Sequence, residues 1–459
     1  MLGTCTRRRG CRPDGPSEPH EALARGTPAT SPSRLLLFYS RSRSFVSRCH
    51  FGAVVLLVGL SIAGFYLLPH RQANNFPTYL LALAVLLRGD WLYKTSRHSR
   101  TLPFVALVLG YFTASVGWSD QGSVSHLGGQ VADVVLLFLF LVAVCWVGKN
   151  GRSVMLIAVA ITAVAAVVAG NAVHDYVLLW NVDELFLRLE GITGTSARLK
   201  NAVVAGLAFG WALLIGAIIM FHKGVPAVGG VALALPMLVL ATGMILTQSR
   251  AVVAGVLVSV ALMAVLTFGA TRRIGLVLAA GTGALVLAAA VVALLMARYY
   301  PTELVFFFDR GASYRLDAWR EVLRMNSERW FGLGILEPSN VTVVAKGGTD
   351  MILDYPHSIF VSAYFYGGLV GLTLVAGLVA QVCWVIITSA RSFSRSAIAS
   401  LGLFGFVVLL VDGNRLTDKI GILWFIFWIP IALAGQLPRR EQGTGVGSLY
   451  DGATRSPPP

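Results

Sequence analysis

The chain has 459 residues, 56% of them hydrophobic and only 13% charged, with a net charge of +15. Soluble domains carry about 25% charged residues, so the composition excludes an ordinary water-soluble globule. The apolar runs are continuous and about 20 residues long, which also excludes the alternating strands of an outer-membrane barrel. In lipid the backbone must satisfy its own hydrogen bonds, so these runs mean helices.

In chain order, residues 1–50 come first, with nine Arg against Asp14, Glu18 and Glu21. This Arg-, Pro-, Ser- and Gly-rich stretch reads as a disordered tail held at an anionic membrane surface, with a nucleic-acid-binding tail or a downstream start codon as alternatives. The apolar run 51–68 is followed by Pro69-His70-Arg71, without a small-residue cleavage site, and reads as a signal anchor. Further spans are expected near 76–88, 102–118, 131–148, 153–170, 201–221, 225–247, 251–270, 274–297, 358–388, 397–412 and 420–437.

The expected architecture is an all-α polytopic membrane protein of about 12 transmembrane helices. Its parts are a basic cytoplasmic tail (1–48), nine helices (49–297), a long outer loop (298–357), three helices (358–437) and a second tail (438–459). Charge fixes the orientation. With the N-terminus inside, the inner loops carry Arg88, Lys94, Arg97 and Arg100, then Lys149 and Arg152, Lys223, Arg272 and Arg273, Arg391 and Arg395, and finally Arg439 and Arg440. The outer turn 119–130 has Asp120 and no Lys or Arg. Both termini are therefore expected in the cytoplasm. The five cysteines, Cys5, Cys11, Cys49, Cys145 and Cys383, leave the outer loops without a disulfide and show no metal-ligand spacing.

Two outer segments, 171–200 and 298–357, are longer than turns, and such loops tend to carry function. Within the second, 314–330 is expected to form an amphipathic helix. Leu316, Trp319, Val322, Leu323 and Trp330 fall on its apolar side, and it lies on the bilayer surface or the bundle mouth. Residues 335–356 are expected to be irregular.

Polar groups within or beside the spans are few: Gln130, Asp133 and Asp412 lie near outer span ends, and no paired carboxylates or buried Lys suit a coupled transporter. What stands out is arginine on the outer side: Arg198 before the sixth span, Arg250 in a tight turn between two apolar spans, and Arg315 at the start of the loop helix. A guanidinium stays charged and forks onto phosphate oxygens, so such a set suits a lipid diphosphate. The bland alternative is snorkelling to headgroups. His357 closes the long loop, where an imidazole suits proton abstraction from a sugar hydroxyl, or simply caps the next span. His174-Asp175 ranks lower, because adjacent residues rarely face each other. No HExxH, carboxylate pair or outer His cluster points to a metal, and no cofactor is expected.

Three short stretches carry a resemblance. They are Leu246-Thr247-Gln248-Ser249-Arg250; Arg315-Leu316-Asp317-Ala318-Trp319 with Trp330-Phe331-Gly332-Leu333-Gly334; and Pro356-His357-Ser358-Ile359-Phe360 with Tyr366-Gly367-Gly368-Leu369-Val370-Gly371-Leu372. In this order they resemble the bacterial O-antigen ligase and O-antigen polymerase superfamily. Ala251 stands where that family usually has Gly, Ser358 where it has Asn, and Arg329-Trp330 where a Pro is common.

The resemblance implies metal-independent, inverting transfer of a glycan from undecaprenyl diphosphate on the periplasmic face; in ligases the acceptor is a lipid A-core sugar. It implies catalytic roles for Arg250, Arg315 and His357 and a donor contact for Gln248. Arg198 is added on position alone, Tyr314 as the neighbour of Arg315, and Arg320 as a reserve one turn along. The partners so implied are the lipid-linked glycan, the lipid A-core and membrane lipids, with no nucleic acid. The alternatives are a polymerase joining lipid-linked repeats, a protein O-glycosyltransferase, a lipid or glycan transporter, and a non-catalytic scaffold.

Overall fold

The computed structural model describes residues 33–68, 71–179, 189, 199, 201–222, 227–268, 313–338, 341–344, 350–353, 355–413, 415–417 and 420–440. The chain divides into Met1–Cys49 and His50–Pro459, and the second unit holds the helical bundle. Its helices are α1 (Ser33–Leu67, from the first unit into the second), α2 (Arg71–Leu86), α3 (Gly89–His98), α4 (Leu102–Ala114, extended by a 3-10 turn Ser115–Trp118), α5 (Val124–Val147), α6 (Gly151–Leu179), α7 (Ala202–Phe221), α8 (Ala227–Leu246), α9 (Arg250–Phe268), α10 (Ser313–Met325), α11 (Ile359–Ile387), α12 (Phe393–Val411) and α13 (Ile429–Ala434).

This is a multi-pass helical membrane protein. Among the described residues eight helices are long and apolar enough to cross a bilayer, or nine if the bent pair Gly89–His98 and Leu102–Trp118 counts as one. The expected spans 76–88 and 420–437 correspond to shorter apolar helices, Asn75–Leu86 and Trp424–Ala434. The expected span 274–297 lies outside the described residues, as do 1–32 and 441–459 of the two tails; residues 33–48, expected as disordered tail, instead form the first part of α1, and 438–440 are described.

Three local expectations change. Residues 89–98, expected as a charged inner loop, form a helix that meets α4 at 100°. Trp91 anchors it, its ring centroid 3.9 Å from that of Trp146 on α5, while the Arg88 guanidinium lies over the Trp91 ring at 3.5 Å from its centroid. Residues 335–356 contain an antiparallel hairpin, β1 (Val341–Val344) with β2 (Asp350–Leu353), in the register Val341↔Leu353 to Val344↔Asp350. The β-branched run Val-Thr-Val-Val favours a pleated strand over irregular chain. Finally, the loop helix ends at Met325 rather than near 330. Asn326 stops it by donating its side-chain amide to the carbonyls of Tyr364 (2.9 Å) and Phe365 (3.0 Å). Its buried face is Ala318, Val322 and Asn326, spaced four apart; Leu316, Leu323 and Trp330 are exposed.

The chain beyond Asn326 is locked onto α11. That helix breaks at Gly368, where φ is +60°. Into the break runs 330–334: Leu333 and Gly334 donate their N–H groups to Phe365 O (3.0 Å) and Tyr366 O (2.9 Å), and Val370 donates to Trp330 O (3.2 Å). Gly332 and Gly334 also have positive φ. A Cβ at Gly368 would stand 2.2 Å from Trp330 O, so glycine is required by both conformation and space. The C-terminal end of α4 and its 3-10 turn complete the lock. Tyr111 donates its hydroxyl to Gly367 O (2.6 Å), Trp118 its indole N–H to Phe331 O (3.1 Å), and Ile335 its N–H to Ser115 Oγ (3.0 Å).

Candidate active site

Helix directions decide which groups meet. The first turns of α7 lie against the turn 247–249, since a Cβ at Gly206 would meet Thr247 Oγ1 and one at Gly210 would meet Val252. Helices α7 and α9 therefore run parallel. At the far end of α7, the ring of His222 packs on Phe393, the first residue of α12, with centroids 4.9 Å apart. Helix α12 consequently runs the opposite way and delivers Asp412 to the end where α7 and α9 begin. It packs on α9 where Gly255 faces Val408 and Phe404. From that contact, Arg250 is five residues up α9 and Asp412 four residues along α12, so they stand about 7.5 Å and 6 Å beyond it, at nearly one level.

His357 is at the same end. Its Nδ1 lies 3.4 Å from Asp412 Oδ1, with the two side chains 23% and 12% exposed. The ring of Tyr355 packs against the imidazole at a centroid distance of 4.1 Å. A carboxylate at Nδ1 favours a proton there and leaves Nε2 as the basic nitrogen. The separation exceeds an ordinary hydrogen bond, as catalytic contacts often do without substrate. The loop helix holds this turn: Trp319 donates its indole N–H to Pro356 O at 2.8 Å. Arg315 precedes Trp319 by four residues, on the same helix face, and so is brought toward the histidine turn.

Backbone conformation sets two of these residues apart. Among the described residues, the non-glycine positions with positive φ are Gln248 (+53°) and His357 (+54°). A left-handed non-glycine residue costs on the order of 1–3 kcal/mol and persists where the surroundings enforce it, often at functional sites. Gln248 is half-buried, and Arg250, the first residue of α9, is exposed. Helices α7, α9 and α11 all begin at this end, and their N-termini carry partial positive charge that favours an anion.

Not every expected site residue joins the group. Arg198 lies outside the described residues, although Leu199 beside it is buried and Asn201 caps α7 by accepting from Val203 N at 2.8 Å. Tyr314 lies in the helical backbone, with its side chain outside the described set. Arg320 is exposed and pairs with Asp317 at 2.9 Å along its own helix. His174 likewise contacts its neighbour Asp175 at 3.4 Å, on an exposed surface.

Two participants escaped the sequence reading. Asp412 was visible only as a polar residue near a span end, 55 positions from His357. Arg415 donates to Tyr366 Oη (3.3 Å) and Glu337 O (3.1 Å), tying the loop to α11. Burial pushes the Glu337 carboxyl above its ordinary range, nearby Asp120 adds to this, and Arg329 opposes it. Among the described residues no three His, Cys, Asp or Glu side chains gather as metal ligands.

The fold and site together define a multi-pass membrane protein with a His–Asp pair and arginines at one end of its bundle. Residues 235–376, from α8 into α11, match the family model described as O-antigen ligase. A stretch of 126 residues is 32% identical to the O-antigen ligase of Pseudomonas aeruginosa, covering 27% of this chain and 30% of that protein. The resemblance drawn from the motifs is thus supported by both matches, each to a ligase. The matched chain spans about a third of the relative's length. Gln248, Arg250, Arg315 and His357 fall inside the family segment; Asp412 and Arg415 fall outside it.

Proposed function

We propose that this protein is a glycosyltransferase of the O-antigen ligase type, moving a glycan from undecaprenyl diphosphate to a lipid A-core sugar. The observation that carries the reading is the arrival of Arg250, His357 and Asp412 at one end of the bundle from three different helices. The family match covers two of these and supports the substrate class.

In this mechanism Arg250 and Arg315 grip the diphosphate of the donor, aided by the helix N-termini around them. Gln248 hydrogen-bonds the donor or orients Arg250, and Arg198 is a further phosphate contact. The acceptor hydroxyl oxygen attacks the anomeric carbon from the face opposite the diphosphate. A new C–O bond forms as the C–O bond to the diphosphate breaks, and undecaprenyl diphosphate leaves with the electron pair, inverting the centre. The hydroxyl proton passes to His357 Nε2, and Asp412 orients the ring and stabilises its charged form. Negative charge grows on the leaving diphosphate, so fixed cations stabilise the transition state more than the bound donor, without a metal. The excess of Lys and Arg in the loops at the opposite end supports a reading in which this end faces the periplasm and both termini lie in the cytoplasm.

The test uses purified protein with undecaprenyl-diphosphate glycan, with and without lipid A-core, in EDTA. Glycan on lipid A-core is the expected product. Longer glycan on the undecaprenyl carrier instead would make the protein a polymerase, and intact donor and acceptor would return it to the transporter class. Arg250→Ala should lower the rate roughly 10²–10³-fold at unchanged expression; full activity would remove Arg250 from the mechanism.

A further inference from the structure

At the end of the bundle away from His357, three chain corners meet. The first is Ser99-Arg100-Thr101, between α3 and α4. The second is Thr388-Ser389, at the end of α11. The third is 435–440, after α13. Arg100 holds them together. Its guanidinium donates to Thr388 Oγ1 (2.7 Å) and Ser389 Oγ (3.1 Å), its N–H to Gly435 O (3.1 Å), and its carbonyl accepts from Gln381 Nε2 (2.6 Å). A bridge between Ser389 and Arg439, with bonds from Ala390 N to Pro438 O (3.0 Å) and from Arg440 N to Thr388 O (3.1 Å), lays the last strand of chain alongside. Arg395 adds its own bond to Ile386 O at 2.7 Å.

Among the described residues the charges here do not balance. Arg100, Arg391, Arg395, Arg439 and Arg440 lie at or beside the junction, and Arg439 is close enough to act electrostatically on Arg100. No carboxylate among the described residues pairs with any of the five. The C-termini of α3, α11 and α13 at this corner each offer about half a negative charge and the N-termini of α4 and α12 offset most of it, which leaves far less than five guanidinium groups require. Hydroxyl and carbonyl acceptors fix Arg100 in place but supply no net charge.

Depth identifies the missing anion. Trp384, one turn before Thr388, is 65% exposed on the outside of the bundle, and Trp91 and Trp146 pack with their rings tilted 42° to each other at the same end. Exposed tryptophan beside arginine marks the headgroup level of a bilayer. We propose that this corner binds the phosphate of an anionic phospholipid, with Arg439 and Arg440 on the phosphate, Arg100 behind them, and an acyl chain beside Trp384. The site is separated from His357 by the length of α11, about 40 Å, and is independent of the reaction proposed there.

The experiment measures the thermal midpoint of the purified full chain in neutral detergent with phosphatidylglycerol, phosphatidylcholine or inorganic phosphate. Phosphatidylglycerol should raise the midpoint by roughly 3–5 °C and phosphatidylcholine should not. The double variant Arg439→Gln, Arg440→Gln should lose most of that rise, because the wild-type pairing of these residues uses backbone groups that glutamine keeps. Arg97→Gln, at an exposed position on α3, should keep it. An equal rise with inorganic phosphate, lost in the same double variant, assigns the site to phosphate from solution as well as from lipid. Equal responses to the two lipids, or an undiminished phosphatidylglycerol response in the double variant, overturns the proposal.

Discussion

The left-handed backbone at the His357 end of the bundle is handled in two ways. In the lock between 330–334 and α11, the residues with positive φ are Gly332, Gly334 and Gly368. In the turns that open α9 and α11, they are Gln248 and His357. The lock uses glycine because it needs only backbone packed against backbone, with no room for a Cβ. The two turns tolerate a strained side chain because, in the proposed chemistry, the side chain is what the turn exists to present. Strain kept where glycine would relieve it separates the reacting turns from the scaffold.

The sharpest test replaces His357 with glycine, which accepts the same φ at no steric cost. Glycan transfer should fall roughly 10²–10⁴-fold while the thermal midpoint holds or rises. Retained transfer would mean that the conformation is not maintained for the imidazole. The reciprocal change, Gly368→Ala, drives a methyl into Trp330 O and imposes a left-handed alanine. Little monodisperse protein should be recovered from membranes; a wild-type yield and melting curve would show that the lock gives way easily. Next in size is Asp412→Asn, expected to cut kcat about 10–100-fold at unchanged donor KM, with partial recovery in Asp412→Glu. A change in KM alone would make Asp412 a packing residue.

The smallest effect is expected within the lock itself, at Glu337. Its folded pKa lies above the ordinary 4.5, so its favourable contribution is complete below that value and is lost as pH rises through the folded pKa. Glu337→Gln should therefore melt like the wild type in acid and slightly higher at neutral pH. The same difference at both pH values would locate the effect elsewhere.

The sequence reveals the multi-pass helical class and eight or nine of the expected spans among the described residues, because runs of about 20 apolar residues leave few alternatives. It also exposes Arg250 and His357, since charge beside apolar spans is costly and thus conspicuous. Asp412 was seen but not paired, because its partnership with His357 depends on α12 running antiparallel to α9. Spacing along one element cannot encode a contact between two. The hairpin 341–353 and the helix 89–98 were passed over for a different reason. Both are short, and membrane-scale windows average away the period-2 and 3.6-residue patterns that mark them. The loop helix was found but turned the wrong way: Ala318 is too small to look like a core residue, yet it faces α11 and the hairpin at 0% exposure.

The lock carries a consequence for biogenesis. Residues 330–334 form their bonds with 365–370, chain that leaves the ribosome later, and those bonds run through a break in a helix that must itself be inserted. Synthesis at about 5–20 residues per second leaves the long loop waiting for seconds before its partner is delivered. During that interval the His357 turn has neither α12 nor Asp412 beside it. Under the proposed mechanism the nascent chain is therefore chemically silent until its last helices have been threaded into place.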